Sequence, residues 1–219
     1  MMWIKICGIR DCETALQVAK SGANAIGLNF YSRSPRSVTI DQAVEISLNL
    51  PPEVERVGVF VNHPVSDVAS IANKCRLDKV QLHGDETPSD LAELHHLLPH
   101  IRLIRAWRMR DNGLADLKIF LDECRLLKIS LDACLVDAHV EGSFGGSGKT
   151  VCWNTLVREY DCDRWPPLIL AGGLTFANVA QAIAATNPWG VDVASGVESS
   201  PGIKAPELVR QFVENARLK

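Results

Sequence analysis

Long apolar runs are missing from this sequence, and so is an excess of charge of one sign. No segment approaches the roughly 20 apolar residues that a membrane-crossing helix needs. The apolar stretch at the N-terminus is short and contains Lys5, which does not fit the core of a signal peptide. The formal net charge is −3, with acidic and basic residues mixed, so no electrostatic pattern for nucleic acid or a membrane surface is present. We therefore expect a cytoplasmic protein that binds neither.

Paired cysteines and linkers are also lacking. The seven cysteines are an odd number and form no CxxC pair, which disfavours a disulfide framework or a zinc site and favours reduced thiols. No low-complexity segment or charge block separates two parts of the chain. With 219 residues, 47% of them hydrophobic, the sequence predicts one globular domain spanning residues 1–219.

Short aliphatic runs alternate with helical patterns from end to end. Such runs are typical of strands in a parallel sheet that is covered by helices. Eight of them predict a single (β/α)8 barrel, the TIM barrel, and a doubly wound open sheet is the alternative. The predicted strands are Trp3–Cys7, Ala25–Phe30, Arg56–Val61, Lys79–Leu82, Arg102–Arg105, Cys134–Asp137, Leu168–Ala171 and Gly190–Val193.

Several helix starts can be predicted from capping residues. Thr39 with Gln42 forms a capping-box pattern, and Thr87 precedes a proline at the first helical position. Thr175 is expected to cap the seventh helix, and Pro206 to open the last one.

In a barrel of this kind, catalytic groups lie at the carboxyl ends of the strands. Strand alternation places Lys5 and Cys7 on the inner face of the first strand, with Ile4 and Ile6 facing the helices. A thiolate at Cys7 could act as a base or nucleophile, although most free cysteines are simply small buried residues. Lys5 should need a carboxylate partner, because an unpaired buried ammonium is costly.

Asp137 ends the sixth strand after apolar residues. A carboxyl group there could serve as a general acid, or it could be an ordinary loop or capping residue. Cys7 and Asp137 would lie roughly across the barrel mouth from each other. A base and an acid on opposite sides of a small substrate would suit an isomerase.

Glycines after the last two strands indicate a phosphate site, because they expose backbone N–H groups to an anion. The alternative is two tight turns. The segment 145–150 invites a P-loop interpretation, but the required first glycine is replaced by Ser143, so we favour a glycine-rich active-site loop. The predicted phosphate-binding residues are Gly146, Gly148, Gly172, Gly173, Ser195 and Gly196.

Polar residues near the other strand ends are candidates for substrate binding. Arg36 could grip a carboxylate with two hydrogen bonds, or it could be a solvated surface residue. Gln81 and His83 share one face of the fourth strand and could orient substrate or a neighbouring carboxylate, although a structural histidine is the more common case. Because only His83 offers a histidine at a strand end, we expect no metal site.

The motifs, taken in order, resemble those of phosphoribosylanthranilate isomerases along nearly the whole chain. Each motif is weak alone, but the ordered series is specific. They are Lys5–Ile9, Gly22 with Ala23, Gly27–Phe30, Ser34–Arg36, Val57–Asn62, Gln81–Gly84, Asp137 with Gly145–Thr150, Ala171–Leu174 and Val191–Glu198 with Pro201, Gly202 and Lys204. One departure is the segment 138–144, whose composition is unlike the family pattern.

The resemblance implies an Amadori rearrangement in tryptophan biosynthesis without metal or organic cofactor. It implies Cys7 as the catalytic base and Asp137 as the catalytic acid, with Arg36 on the anthranilate carboxylate. Asp192 matches an acidic position that faces the barrel mouth, and we place it with Gln81 and His83 among the substrate-binding residues. The partner is then a small phosphorylated aminosugar, and the protein a monomer or a homodimer. Another phosphosugar barrel enzyme, a non-catalytic phosphate-ligand binder and an NTPase remain as alternatives.

Overall fold

The computed structural model describes residues 2–109, 113–138 and 152–218. In this part of the chain, eight parallel strands pair in sequence order and the last closes onto the first, which confirms the (β/α)8 barrel. The strands are β1 Trp3–Cys7, β2 Ala25–Asn29, β3 Glu55–Phe60, β4 Lys79–Leu82, β5 Arg102–Met109, β6 Ala133–Ala138, β7 Leu168–Leu170 and β8 Gly190–Val193.

A helix follows each strand and covers the outside of the barrel. The helices are α1 Cys12–Lys20, α2 Ile40–Asn49, α3 Val65–Lys74, α4 Pro88–Leu97, α5 Ala115–Leu126, α6 Trp153–Glu159, α7 Val179–Thr186 and α8 Pro206–Arg217. Between β8 and α8 the chain forms a short 3-10 turn, Ser195–Val197, and a hairpin of β9 Glu198–Ser200 and β10 Ile203–Lys204. Among the described residues, no helix combines the length and the apolar character needed to cross a membrane.

The predicted helix starts are confirmed at three helices and wrong at a fourth, and the last helix does begin at Pro206. Thr39 and Thr87 each form a complete capping box, with Gln42 and Asp90 respectively. Thr175 does not cap α7, because that helix begins at residue 179 after Asn178. The Asn178 side chain instead turns back, accepting from the Thr175 backbone N–H at 2.8 Å and donating to the Gly173 carbonyl at 3.0 Å. Asn178 therefore braces the loop that follows β7.

The alternation of side chains along the strands separates two cores. Ile4 and Ile6 belong to the large core between strands and helices, whereas Trp3 belongs to a smaller core inside the barrel. The predicted inward direction of Lys5 and Cys7 follows from the same alternation. The inner core is filled by Trp3, Ala25, Val57, Ile104, Ala106, Ala133, Leu135, Ile169 and Ala171.

Strand β5 runs four residues beyond its predicted end at Arg105. The aliphatic pattern stops there because an arginine occupies an outward-facing, buried position. Its Nη1 donates to Glu86 at 3.0 Å and to the Leu82 carbonyl at 3.0 Å. The extension places Arg108 beside Asp137 in the strand register, at the mouth of the barrel.

Candidate active site

The carboxyl ends of β6, β7 and β8 surround one cavity at the mouth of the barrel. Its lining brings together six of the residues predicted as site residues from the sequence. They are Asp137, Gly172, Gly173, Asp192, Ser195 and Gly196. A carboxyl group and a glycine-rich wall therefore face the same space. Gly146 and Gly148, also predicted to bind phosphate, lie outside the described residues.

Lys5 has the carboxylate partner that its buried position requires. Its Nζ donates to Asp192 Oδ1 at 2.9 Å, across the seam where β1 meets β8. Burial opposes the charge, but Asp192 and Cys7 outweigh this effect, and the pKa of Lys5 is raised. The ammonium therefore stays charged beneath the active site.

Cys7 lies at the end of β1, above this ion pair. Its side chain is almost completely enclosed, with 9% of the residue exposed. Burial raises the pKa of the Cys7 thiol, whereas the cations Lys5 and Lys204 act in the opposite direction. Gly27 on β2 leaves room for the sulfur, because a Cβ at that position would lie 2.7 Å from Cys7 Sγ. The packing thus fixes the thiol beside two positive charges.

Arg36 is held by an internal carboxylate. Its Nε and Nη2 donate to the two oxygens of Glu198 at 2.8 and 2.7 Å. Lys204 donates to the same carboxylate at 2.8 Å and to the Ala194 carbonyl at 2.9 Å. Burial works against ionisation of Glu198, but hydrogen bonds from both cations prevail, so the pKa of Glu198 is lowered. The β9–β10 hairpin supplies both Glu198 and Lys204.

Gln81 and His83 are buried inside the barrel near Asp137. Gln81 Nε2 lies 3.1 Å from His83 Nδ1, and His83 Nε2 lies 3.9 Å from Asp137 Oδ2. The pKa of His83 is lowered to about 3, mainly by burial and further by the cations Lys5, Arg105 and Arg108. The imidazole is therefore neutral at physiological pH, despite the nearby carboxyl group.

The neutral state of His83 predicts a loss of stability in mild acid. Below pH 6.5 the unfolded chain takes up a proton at this residue and the folded chain does not, so stability falls as the pH falls. Between pH 6.5 and pH 5 the loss through His83 should be about 1.5 kcal/mol of unfolding free energy. Urea unfolding of the wild type and of His83→Gln at both pH values measures this, because contributions from the other histidines cancel in the comparison. An equal pH dependence in the two proteins would mean that His83 is protonated in the fold.

Two residues of the site could not be identified as functional from the sequence pattern alone. Glu198 belongs to a recognised motif, but nothing in the pattern pairs it with Arg36, which precedes it by 162 positions. Arg108 faces the mouth beside Asp137 and bonds to Asp85 at 2.6 Å. The sequence signal for its inward direction is the period-two spacing from Ile104 and Ala106, whose side chains fill the barrel interior.

The glycines after β7 adopt backbone conformations that suit an anion site. Gly172 and Gly173 both have positive φ, at 84° and 62°. A Cβ on Gly196 would lie 1.8 Å from the Leu174 carbonyl oxygen, so only glycine allows the loops after β7 and β8 to approach this closely. The part of the chain that the structure describes contains no group of three or more His, Cys, Asp or Glu side chains arranged to hold a metal ion.

Comparison with known proteins places these features in one family. The family model "N-(5'phosphoribosyl)anthranilate (PRA) isomerase" matches residues 4–215. An N-(5'-phosphoribosyl)anthranilate isomerase of Geotalea uraniireducens (strain Rf4) is 41% identical over 217 residues, covering 99% of each chain. The protein of the same name in Pseudomonas syringae pv. tomato is 43% identical over 209 residues, which cover 95% of this chain and 94% of its own.

Two solved structures that superimpose on this chain belong to the same family as its sequence relatives. The phosphoribosyl anthranilate isomerase of Thermotoga maritima superimposes with a TM-score of 0.86 at 36% identity, covering 99% of each chain. A phosphoribosyl anthranilate isomerase in complex with reduced 1-(o-carboxyphenylamino)-1-deoxyribulose 5-phosphate has a TM-score of 0.83 at 34% identity, again over 99% of each chain.

Proposed function

Because the chain belongs to the N-(5'-phosphoribosyl)anthranilate isomerase family, we propose that Cys7 and Asp137 carry out the isomerisation for which the family is named. The reaction is the Amadori rearrangement of N-(5-phosphoribosyl)anthranilate to 1-(2-carboxyphenylamino)-1-deoxyribulose 5-phosphate, a step of tryptophan biosynthesis. The observation that carries the proposal is the cavity at the barrel mouth, which is lined by Asp137 and by the glycine loops after β7 and β8.

Two proton transfers divide the reaction between these residues. Asp137 gives a proton to the ring oxygen of the ribose, the bond from that oxygen to carbon 1 breaks, and the anthranilate nitrogen becomes an iminium. The iminium acidifies the proton on carbon 2, which the Cys7 thiolate removes to form an enolamine. Ketonisation adds a proton to carbon 1 and releases one from the hydroxyl on carbon 2, which leaves the number of protons on the product unchanged. Cys7 then loses the proton that it gained and Asp137 takes up the one that it gave, so both residues return to their starting states. The iminium serves as the electron sink.

The ion pair beneath Cys7 supports its role as the base. The enclosed thiol is protonated at rest, because burial raises its pKa. A thiolate that forms there is stabilised by Lys5, and Asp192 holds that ammonium in place at 2.9 Å. Asp192 in this scheme acts chiefly through Lys5, and its place at the cavity wall also allows contact with substrate.

The substrate phosphate would bind the backbone N–H groups of the loops containing Gly172, Gly173, Ser195 and Gly196. These residues line the cavity together, and anions bind well to exposed backbone amides of this kind. Gly146 and Gly148 are proposed to contribute to the same site.

Gly196→Ala tests the phosphate site. The new methyl group would meet the Leu174 carbonyl, which is backbone and cannot rotate away, so the two loops must separate. We expect KM for phosphoribosylanthranilate to rise about 10-fold or more, the cost of losing one or two hydrogen bonds to a charged group. Steady-state kinetics measures the change, with the exposed Ser199→Ala variant in the neighbouring hairpin as the control. An unchanged KM would place the phosphate elsewhere.

Arg36 is proposed to bind the anthranilate carboxylate. Glu198 already engages Nε and Nη2, so the substrate carboxylate would use Nη1 or replace one oxygen of Glu198. Replacement of a Glu198 oxygen is favoured, because Lys204 still neutralises Glu198 when Arg36 turns to the substrate. Glu198 then keeps the guanidinium oriented before substrate arrives.

The remaining proposals concern the whole chain. We infer a single catalytic domain over residues 1–219, a cytoplasmic location, and a monomer or a homodimer. The phosphoribosylanthranilate isomerase of Thermotoga maritima is dimeric and has also been crystallised as monomers, so both states occur with this fold.

Turnover of freshly prepared phosphoribosylanthranilate, followed by the loss of its fluorescence, tests the proposed function. We expect turnover that persists in the presence of a chelator, since neither proposed proton transfer uses a metal. Binding of substrate without turnover would indicate a phosphate-ligand binder, and turnover abolished by chelator would indicate a metal-dependent reaction. Either result would overturn the proposal.

A further inference from the structure

The contact between Gln81 and His83 determines which imidazole nitrogen carries the proton. The amide nitrogen of Gln81 can only donate, so His83 Nδ1, at 3.1 Å, must accept. A neutral imidazole carries one proton, and with Nδ1 as an acceptor this proton is on Nε2. The low pKa of His83 supports the neutral form.

The Nε2–H group of His83 is buried and directed toward the catalytic carboxyl group. Among the described residues, Nε2 has no hydrogen-bond partner, and Asp137 Oδ2 lies 3.9 Å away. A buried N–H group without an acceptor costs about 1–3 kcal/mol, so its retention at this position needs an explanation. A shift of about 1 Å in the Asp137 carboxyl would bring the pair to hydrogen-bond distance.

We propose that His83 is a positioning residue for Asp137, and that Gln81 fixes the imidazole tautomer so that Nε2–H is directed at Asp137 Oδ2. This inference rests on the proposed role of Asp137 as the acid. Of the two roles considered for Gln81 and His83 from the sequence, it is the orientation of a neighbouring carboxylate and not the binding of substrate.

The arrangement has two consequences for the acid. When Asp137 is protonated, a hydrogen bond at Oδ2 favours the proton on Oδ1, so the transferable proton has a defined position. When Asp137 has released its proton, the same N–H group stabilises the carboxylate. Because His83 is neutral, it stabilises the carboxylate without adding a positive charge near Lys5 and Arg108. Both of these cations lower the pKa of His83.

The tautomer can be read on the protein without substrate. In the ¹⁵N spectrum of histidine-labelled protein, we expect a pyridine-type shift for His83 Nδ1 and a pyrrole-type shift for Nε2, assigned by their absence in His83→Gln. The reverse pattern would mean that the Gln81 carbonyl accepts from Nδ1–H, and would overturn the proposal.

The effect on Asp137 is tested by two replacements of different length. The amide nitrogen of Gln at position 83 can take the place of Nε2, whereas that of Asn is too short to reach it. We expect His83→Asn to raise the pKa of the Asp137 carboxyl, followed by ¹³C NMR titration, and to lower kcat about 10- to 100-fold with KM nearly unchanged. His83→Gln should recover most of the lost kcat.

The outcomes separate this inference from the proposed function. His63→Asn, in the loop after β3, is the control for replacing a histidine and should change neither quantity. Equal losses in His83→Asn and His83→Gln, an unchanged Asp137 pKa, or an effect confined to KM would each overturn the positioning role. Absence of turnover in the wild type would overturn the proposed reaction, whereas the tautomer and the Asp137 titration would still test the contact.

Discussion

Cys7→Ser should lower kcat by about 10²- to 10⁴-fold, the range that a general base contributes. A serine hydroxyl is a far weaker acid than a thiol, so almost none of it is ionised even beside Lys5 and Lys204. The replacement is nearly isosteric, and the residue packs closely against Gly27, so the fold and KM should be preserved. Steady-state kinetics with phosphoribosylanthranilate measures the loss, and thermal unfolding checks the fold.

The pH dependence of kcat/KM also tests the role of Cys7. Burial raises the pKa of the Cys7 thiol, so the active thiolate is a minor species at neutral pH and becomes more abundant as the pH rises. With Cys7 as the proposed base, we therefore expect kcat/KM of the wild type to increase with pH on its acidic side, and Cys7→Ser to lose that increase. Cys12→Ser, which removes a half-buried thiol on α1, is the matched control. A near-normal rate in Cys7→Ser would remove the thiolate from the mechanism.

The local placement of these groups can be predicted from the sequence because it depends on short-range rules. Period-two alternation directs Lys5 and Cys7 inward, and the cost of burying an ammonium predicts a carboxylate partner for Lys5. The ion pair with Asp192 confirms that expectation. The closed order of the strands then brings residues from the two ends of the chain together at the seam between β1 and β8.

Long-range pairings follow no such rule. Arg36 binds Glu198 through the geometry of a hairpin that follows the last barrel strand, and no local pattern specifies that contact. The extension of β5 beyond Arg105 follows no local pattern for a related reason: Arg105 is compatible with a buried strand only because Glu86 neutralises it from the neighbouring loop. Thr175 has the residue type of a cap, but Asn178 takes the hydrogen bonds that define the loop.

Asp137→Asn should lower kcat by about 10²- to 10⁴-fold with little change in KM. The asparagine side chain has the size of the aspartate and keeps an oxygen and a nitrogen at the cavity wall, but it has no acidic proton to give to the ribose ring oxygen. Without that proton the ring opens slowly and the iminium does not form. The groups proposed to bind substrate are mainly the phosphate loops and Arg36, which the substitution leaves intact. Steady-state kinetics separates the two parameters.

The relative effects of Asp137→Asn on kcat and on KM decide whether Asp137 is the catalytic acid or a substrate-binding group. An exposed substitution, Asp163→Asn, controls for the loss of one negative charge. If Asp137→Asn chiefly raised KM, the carboxyl would be a binding group, and the proton for the ring oxygen would have to come from another residue. A large fall in kcat at constant KM requires a group that acts only in the transition state. In that case the neutral His83 beside Asp137 would support the charge that the acid acquires when its proton leaves.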